Sequence, residues 1–211
     1  LAMLSQRDGW SPEQKCLGIV GVGNVGSLVE RYAKKWGFKV LCCDPPRQAR
    51  EGGDFVSFDH VMRSSDIVTM HTPLNETTYH LLNAENIGLM NHNGVIINAS
   101  RGEVADTEAL LSAPQTLLLD VWEREPMIDA KLLDKALVAT PHIAGYSAQG
   151  KANAASMVVR ALAEEFDLPL KDWYPAEVKP VERMDIAWSD MCATIANYCD
   201  LQGESNYLKC N

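Results

Sequence analysis

The sequence predicts an α/β fold, a doubly wound parallel sheet with helices on both faces, followed by flanking pieces of further domains. Three observations predict it. Short apolar runs alternate with amphipathic stretches of helical spacing over the first two thirds of the chain, the rhythm of strands joined by crossover helices. The first such junction carries three glycines spaced G-x-G-x-x-G. Finally, the polar clusters fall where the apolar runs end, the edge at which such sheets hold ligands.

Taken in order, Leu17, Ile19 and Val20 suit a buried parallel strand, and residues 25–36 place Leu28, Val29, Tyr32 and Trp36 at helical spacing. The glycines between them sit at a strand-to-helix turn. There Gly21 allows the tight turn, Gly23 lets the backbone approach a pyrophosphate and Gly26 lets helix and strand pack closely. The free N–H groups of the helix start face the anion. A second apolar run, 39–43, ends in Asp44, close to the ~20-residue offset at which an acid accepts hydrogen bonds from the adenosine ribose. An acid there repels a 2′-phosphate, so the pattern is that of a Rossmann-type domain binding NAD in preference to NADP. Arg47 opposes that preference if it turns inward.

Pro45 and Pro46 cannot donate to a ladder and are expected to turn the chain into a loop rich in Arg, Gly and Asp. Ser57 caps a short helix through residue 63, and 66–70 reads as the third strand, ending at His71-Thr72-Pro73. A helix over 83–90, a strand over 94–98, the loop Ser100-Arg101-Gly102 and a helix over 106–112 follow. The acids Asp106 and Glu108 stand in the first turn of that helix, where its dipole favours them. Strands over 116–121 and 137–140 flank a helix over 129–135. Beyond Gly145 a long helix over 151–166 carries Ala155, Val158, Val159, Leu162 and Phe166 on one stripe, expected to pack against another layer. Residues 169–182 read as a linker or extended strand, and a last helix over 188–198 as the start of a new unit. The expected organisation is a hinge helix and dinucleotide domain over 1–140, a return segment towards a substrate domain over 141–172, and the start of a C-terminal dimerisation domain over 173–211. From its ends, the chain is expected to be a fragment of something longer, or its ordered part.

At 211 residues and 46% hydrophobic, the chain can bury one substantial core and part of another. A formal net charge of -9 argues against nucleic acid or an anionic membrane as partner. No apolar run approaches a membrane span and the N-terminus lacks a secretory pattern, so the cytoplasm is expected. Cys16, Cys42 and Cys43 lie on buried strands, and Cys192, Cys199 and Cys210 lack paired metal-ligand spacing. Free thiols and no metal site are expected.

Arg101, Glu125 and His142 follow three successive strands, on the edge where the nucleotide lies. Taking hydride from an alcohol carbon also requires taking the hydroxyl proton, and a histidine, with an unperturbed pKa near ~6.5, does this at neutral pH. A carboxylate beside it orients the ring and stabilises its charged form. An arginine holds a substrate carboxylate by two parallel hydrogen bonds and polarises the adjacent carbonyl. The set matches oxidation of a 2-hydroxy acid.

Gly-Ile-Val-Gly-Val-Gly-Asn-Val-Gly, Asn98-Ala-Ser-Arg-Gly-Glu, Leu119-Asp-Val-Trp-Glu-Arg-Glu-Pro and Thr140-Pro-His-Ile-Ala-Gly-Tyr resemble the D-isomer-specific 2-hydroxyacid dehydrogenases. The resemblance covers the chain from Arg7 to about Leu170. It implies that Arg101 binds substrate and takes part in catalysis, that Glu125 supports the histidine and that His142 gives and takes the proton. It also implies that the backbone at Asn24 and Val25 meets the pyrophosphate and Asp44 the ribose, that Thr72, Ala99, Asp120 and Gly145 line the nicotinamide half, and that Tyr146 reaches the substrate. Cys43-Asp-Pro-Pro-Arg and His142-Ile-Ala-Gly-Tyr-Ser narrow the match to a member acting on a phosphorylated 2-hydroxy acid, in a homodimer. The last helix, with Trp188, Met191, Ile195 and Cys199 expected uncovered, points to the same assembly. The competing readings are a dehydrogenase for another hydroxy acid such as phosphoglycerate, and an NAD(H)-sensing module without turnover. Glu123 is the neighbouring acid not chosen. The connection 112–116 is shorter than the family's, and the family's N-terminal substrate-binding segment is absent.

Overall fold

The computed structural model describes residues 1–179, 185–197 and 199–210. It comprises two compact units, Leu1–Pro141 with Ile186–Asn211, and His142–Asp185. In the first unit, helix α1 (Ala2–Asp8) buries Ala2, Leu4 and Ser5. Strand β1 (Cys16–Val20), the glycine turn, α2 (Asn24–Trp36) and β2 (Lys39–Cys43) follow as the hydrophobic pattern predicts.

The first departure comes next. Residues 45–51 do not form a loop but a helix, α3 (Pro45–Glu51). The two prolines occupy its first two positions, where an absent N–H costs nothing and the fixed φ favours the helix. Asp44 caps it by accepting from Arg47 N (2.9 Å), and Arg47 pairs with Glu51 one turn on (2.8 Å).

Beyond it, α4 (Phe58–Ser64) is capped by Ser57, which accepts from His60 N as expected. There follow β3 (Ile67–Met70), α5 (Ala84–Ile87), β4 (Val95–Asn98), α6 (Thr107–Ser112), β5 (Thr116–Leu119), α7 (Ala130–Lys135) and β6 (Val138–Ala139). Asn83, Asp106 and Asp129 cap α5, α6 and α7, each accepting from two first-turn N–H groups. Helix α5 is shorter than the 83–90 predicted: beyond it the bonds tighten to three-residue turns, Leu89 N–H donating to Asn86 O and Met90 N–H to Ile87 O (3.1 Å each).

All six strands are parallel, in the order β2-β1-β3-β4-β5-β6. The order reverses beside β1, which opens a crevice at the carboxyl ends of β1 and β3. Val56 N–H donates to Cys42 O (2.9 Å), so the chain leaving α3 runs along the outer edge of β2. Every residue of β3 is buried, as a sheet covered on both faces requires. One face packs Val20, Met62, Met70, Leu82, Ile96 and Leu117; the other packs Leu17, Ile19, Val22, Ala33 and Phe38. Each of these Val, Leu, Ile, Met and Phe side chains contributes about 1.5–3 kcal/mol by leaving water.

The second unit holds helix α8 (Ala148–Glu165), capped by Ser147, which accepts from Gly150 N (2.9 Å). Its buried residues are Ala152, Ser156 and Ala163, whereas Val158, Leu162 and Phe166 of the predicted packing stripe are exposed. Within this unit small residues form the packed face of α8, and the larger apolar ones stand on another. Leu168 N–H donates to Ala163 O and the Tyr174 hydroxyl to Asn153 Oδ1.

Residues 186–210 belong to the sheet unit, with a 3₁₀ turn Trp188–Asp190, α9 (Met191–Ala196) and an unpredicted last helix, α10 (Leu201–Cys210). The expectation that Trp188 and Met191 stand uncovered is overturned. Trp188 packs among Trp10, Trp36 and Phe38 with ring centroids 5.4–6.2 Å apart, its indole N–H donates to Ser5 Oγ (3.0 Å), and Met191 is buried. Only Ile195 of that group counts as exposed. The buried Ser205 hydroxyl accepts from Ala139 N (2.9 Å), satisfying a donor of edge strand β6. The expectations for 180–182 and for Tyr198 lie outside the described residues. Among the described residues, no helix is long and apolar enough to cross a membrane.

Candidate active site

The glycine turn explains itself atom by atom. Gly21 has φ +85°, and a Cβ there would lie 2.7 Å from the carbonyl of His71. A Cβ on Gly26 would lie 2.0 Å from Gly21 O, so the first turn of α2 rests directly on the turn's backbone. Gly23 is the opposite case. Nothing lies within 4 Å of the Cβ position, which leaves exposed, open space above the backbone. The N–H groups of Asn24 and Val25 open α2 and have no intrahelical acceptor. Open space beside unsatisfied donors at a helix start suits a pyrophosphate.

Asp44, at the end of β2, braces this turn. Its Oδ2 accepts from Val22 N (2.8 Å) and its Oδ1 from Arg47 N (2.9 Å), and each oxygen keeps a lone pair for a ribose hydroxyl. Arg47 does turn inward, but onto the turn itself. Its Nη1 donates to Val22 O (2.7 Å) and Ser27 Oγ (3.0 Å), while Nε is held by Glu51. Nε and Nη1 of the guanidinium are thereby taken up by the protein.

At the end of β3 the Thr72 hydroxyl is buried without a hydrogen-bond partner. Such a group costs about 1–3 kcal/mol unless a ligand satisfies it. Beside it, His71 is half-buried, and burial lowers its pKa below the ordinary value.

After β4, the buried Asn98 side chain ties the loop. Its Oδ1 accepts from Ser100 N (3.1 Å) and Ser100 Oγ (2.8 Å), and its Nδ2 donates to Arg101 O (2.9 Å). Ala99 is half-buried, and the Arg101 side chain reaches solvent with one donor on Ser100 O. After β5, buried Asp120 accepts from Thr140 Oγ1 (2.6 Å) and Trp122 Nε1 donates to Thr140 O (2.9 Å), stitching the ends of β5 and β6 together. Glu125 Oε1 accepts from Trp122 N (2.8 Å), so this acid is folded back onto its own loop.

The sheet unit thus brings Gly21, Gly23, Asn24, Val25, Gly26, Asp44, Thr72, Ala99, Arg101, Asp120 and Glu125 to the carboxyl ends of its strands. His142, Gly145 and Tyr146 belong to the second unit. His142 is exposed, in the left-handed region at φ +58°. Gly145 is exposed, with nothing near its Cβ position. The exposed Tyr146 ring lies under the Lys151 ammonium, 3.5 Å from the centroid, and a hydrogen bond from Lys151 lowers the phenol's pKa.

One cluster escaped the sequence reading. Glu123 Oε1 meets His80 Nε2 at 2.8 Å, and Glu123 Oε2 accepts from Thr107 Oγ1 (2.7 Å) and Thr107 N (3.3 Å). Burial raises the Glu123 pKa, but the bonds from Thr107 and His80 outweigh it and hold the carboxyl below its ordinary value. Separations of 43 and 16 residues leave no periodic signal by which to find it.

The open glycine turn, the acid ending β2 and the unpartnered Thr72 hydroxyl line one edge of a parallel sheet and fit a dinucleotide, which defines a dinucleotide-binding domain. The chain belongs to the D-isomer specific 2-hydroxyacid dehydrogenases: the model of that family's NAD binding domain matches residues 3–144. More particularly, it is 46% identical over 176 residues to an erythronate-4-phosphate dehydrogenase of Bacteroides fragilis, covering 79% of this chain and 51% of that one. A protein of the same name from Porphyromonas gingivalis is 44% identical over 179 residues, covering 80% of this chain and 48% of that one. The chain spans about half the length of the curated relatives it matches. Among solved structures, a D-lactate dehydrogenase of Aquifex aeolicus complexed with NAD and lactic acid aligns with a TM-score of 0.61 and 27% identity. That alignment covers 81% of this chain and 60% of the other.

Proposed function

We propose that the whole protein oxidises 4-phospho-D-erythronate to its 2-oxo acid, as a step of pyridoxal phosphate biosynthesis, and that this chain is its NAD-binding part. The observation that carries the reading is the edge of the sheet. The Asn98 ties and the Trp122–Glu125 bond present Arg101 and Glu125 at the ends of neighbouring strands, on the edge that carries the glycine turn and Asp44. Identities of 44–46% to erythronate-4-phosphate dehydrogenases support the substrate.

In this reading Gly23, Asn24 and Val25 meet the pyrophosphate, Asp44 the ribose, and Thr72, Ala99, Asp120 and Gly145 the nicotinamide half. NAD, when bound, supplies the hydride acceptor. Arg101 grips the substrate carboxylate with two parallel hydrogen bonds and draws electron density from the C2 oxygen as it becomes a carbonyl. His142 takes the hydroxyl proton as the C2 hydride departs, and Glu125 stabilises the resulting imidazolium. Tyr146 contacts the substrate. Residues 141–172 lead towards the substrate domain, and the segment 173–211, whose part 186–210 packs on the sheet unit, leads on to a dimerisation domain of a cytoplasmic homodimer. A monomeric mass by light scattering refutes the dimer.

Steady-state rates of the whole protein on 2-hydroxy acids with and without a terminal phosphate test the function. Preferential turnover of 4-phosphoerythronate is expected. Turnover of phosphoglycerate or glycerate alone reassigns the substrate, and NADH binding without any turnover leaves a sensing module. His142→Asn is expected to retain NADH affinity and lose about 10²- to 10⁴-fold in rate.

A further inference from the structure

Glu123 lies among three segments that are distant in sequence. The stretch 80–82 runs beside 103–106, with His80 N donating to Glu103 O (2.8 Å), Leu82 N to Val104 O (3.0 Å) and Asp106 N to Leu82 O (2.9 Å). The His80 backbone is left-handed at φ +47°, and its ring stacks on Tyr79 with centroids 4.0 Å apart, which turns the imidazole towards Glu123. With the carboxylate ionised, His80 Nε2 is the donor. The Glu123 side chain is only 12% exposed, yet both oxygens are engaged, one by His80 and one by Thr107.

The neighbours of these contacts are the residues assigned to the chemistry. Gly102, next to Arg101, presses on the backbone next to Glu123: a Cβ there would lie 2.0 Å from Trp122 C and O. The same Trp122 gives its N–H to Glu125. A displacement of Glu123 therefore moves the surface on which the Arg101 loop rests and the anchor to which Glu125 is bonded. Helix α6 does not require Glu123 as its cap, because Asp106 already accepts from Glu108 N (2.8 Å) and Ala109 N (3.3 Å). A buried carboxylate in that place, bonded to a histidine from another segment, calls for a different role.

We propose that Glu123 and His80 are positioning residues: the carboxylate clamps the loop carrying Arg101 to the loop carrying Glu125, fixing their spacing without touching substrate or cofactor. The clamp rests on the proposed function for the roles of Arg101 and Glu125, and it is independent of which 2-hydroxy acid reacts. Asp106 is the other charge facing His80, with Oδ2 at 3.9 Å from Nδ1.

The test uses the whole protein with Glu123→Ala, Glu123→Gln and His80→Asn, the last because asparagine tolerates the left-handed backbone while being too short to replace the ring's bond. Three quantities are read: kcat and KM for 4-phosphoerythronate, the stoichiometry and Kd of NADH from fluorescence titration, and amide hydrogen exchange over 101–107 and 122–125. Glu123→Ala is expected to lower kcat about 10- to 100-fold, the scale of a misplacement near 1 Å, and to raise KM, with full NADH stoichiometry and Kd within about twofold. Exchange is expected to accelerate in both loops together. Glu123→Gln keeps a carbonyl acceptor for Thr107 and should recover part of the loss, with His80→Asn intermediate.

Unchanged kcat, KM and exchange in Glu123→Ala overturn the clamp. So does a fall in kcat that tracks lost NADH stoichiometry at constant KM, which is the signature of partial unfolding. If Glu123→Ala does not fold, Glu123→Gln and His80→Asn decide by the same criteria. If the parent protein turns over no 2-hydroxy acid, the proposed function falls by itself. The clamp is then judged on exchange alone, upheld by joint acceleration in the two loops and refuted by its absence.

Discussion

Replacing Asp44 by alanine separates two roles that one carboxylate performs. In the structure its oxygens hold Val22 N and Arg47 N at 2.8 and 2.9 Å, bracing the glycine turn and capping α3. Loss of the cap costs about 1 kcal/mol. A bond to a charged acceptor is worth about 1.5–3 kcal/mol, and the half-exposed setting favours the lower end. The sum, about 2–3 kcal/mol, corresponds to a fall in Tm of roughly 4–12 °C for a domain of this size. Cofactor affinity changes on a separate axis. NAD loses its bonds from two ribose hydroxyls to the carboxylate, and its Kd should rise about 10- to 100-fold. NADP should gain relative to NAD, because the charge opposing a 2′-phosphate is gone. Asp44→Asn keeps an effective cap while removing the charge, so it should narrow the NAD/NADP ratio with a smaller change in Tm. Calorimetry and fluorescence titration with both reduced cofactors provide the measurements. Equal affinities for NADH and NADPH in the parent protein, or an unchanged ratio in both variants, would refute the reasoning.

Arg101→Lys keeps the charge but loses the two-pronged grip on a carboxylate, so the damage should appear in KM as well as kcat; a change in kcat alone argues against carboxylate binding. Gly26→Ala drives a methyl against Gly21 O, a backbone atom that cannot rotate away, and urea melts should show a loss of about 1–3 kcal/mol along with weaker NADH binding. Glu123 has a folded-state pKa below its unfolded value, near ~4.3 for a free glutamate. Its bonds therefore stabilise the fold above that pH, and the contribution is lost as pH falls through the lower folded value. The Tm of the parent should drop more steeply than that of Glu123→Gln between about pH 5 and 3, and parallel curves contradict the ionised clamp.

Much of the molecule is legible along the chain because its information is local. The strand-helix rhythm depends on which residues are apolar at spacings of two to four, and the glycine turn on three positions that tolerate no side chain or need open space. Ser57 announces a helix start because a cap acts within three residues, whereas Asp106, read as a first-turn acid, proves to be the cap itself. The same locality explains a failure: Pro45 and Pro46 read as breakers until Asp44 is seen to cap them. Tertiary structure alone decided the long-range matters: that Trp188 is covered by Trp10, Trp36 and Phe38, that Ser205 closes β6, that Arg47 folds onto the glycine turn, and that Glu123 joins His80 to Thr107. The physical reason is common to all four. A hydrogen bond or ring contact between residues 16 to 183 positions apart depends on how the layers pack, and no spacing within one element encodes it.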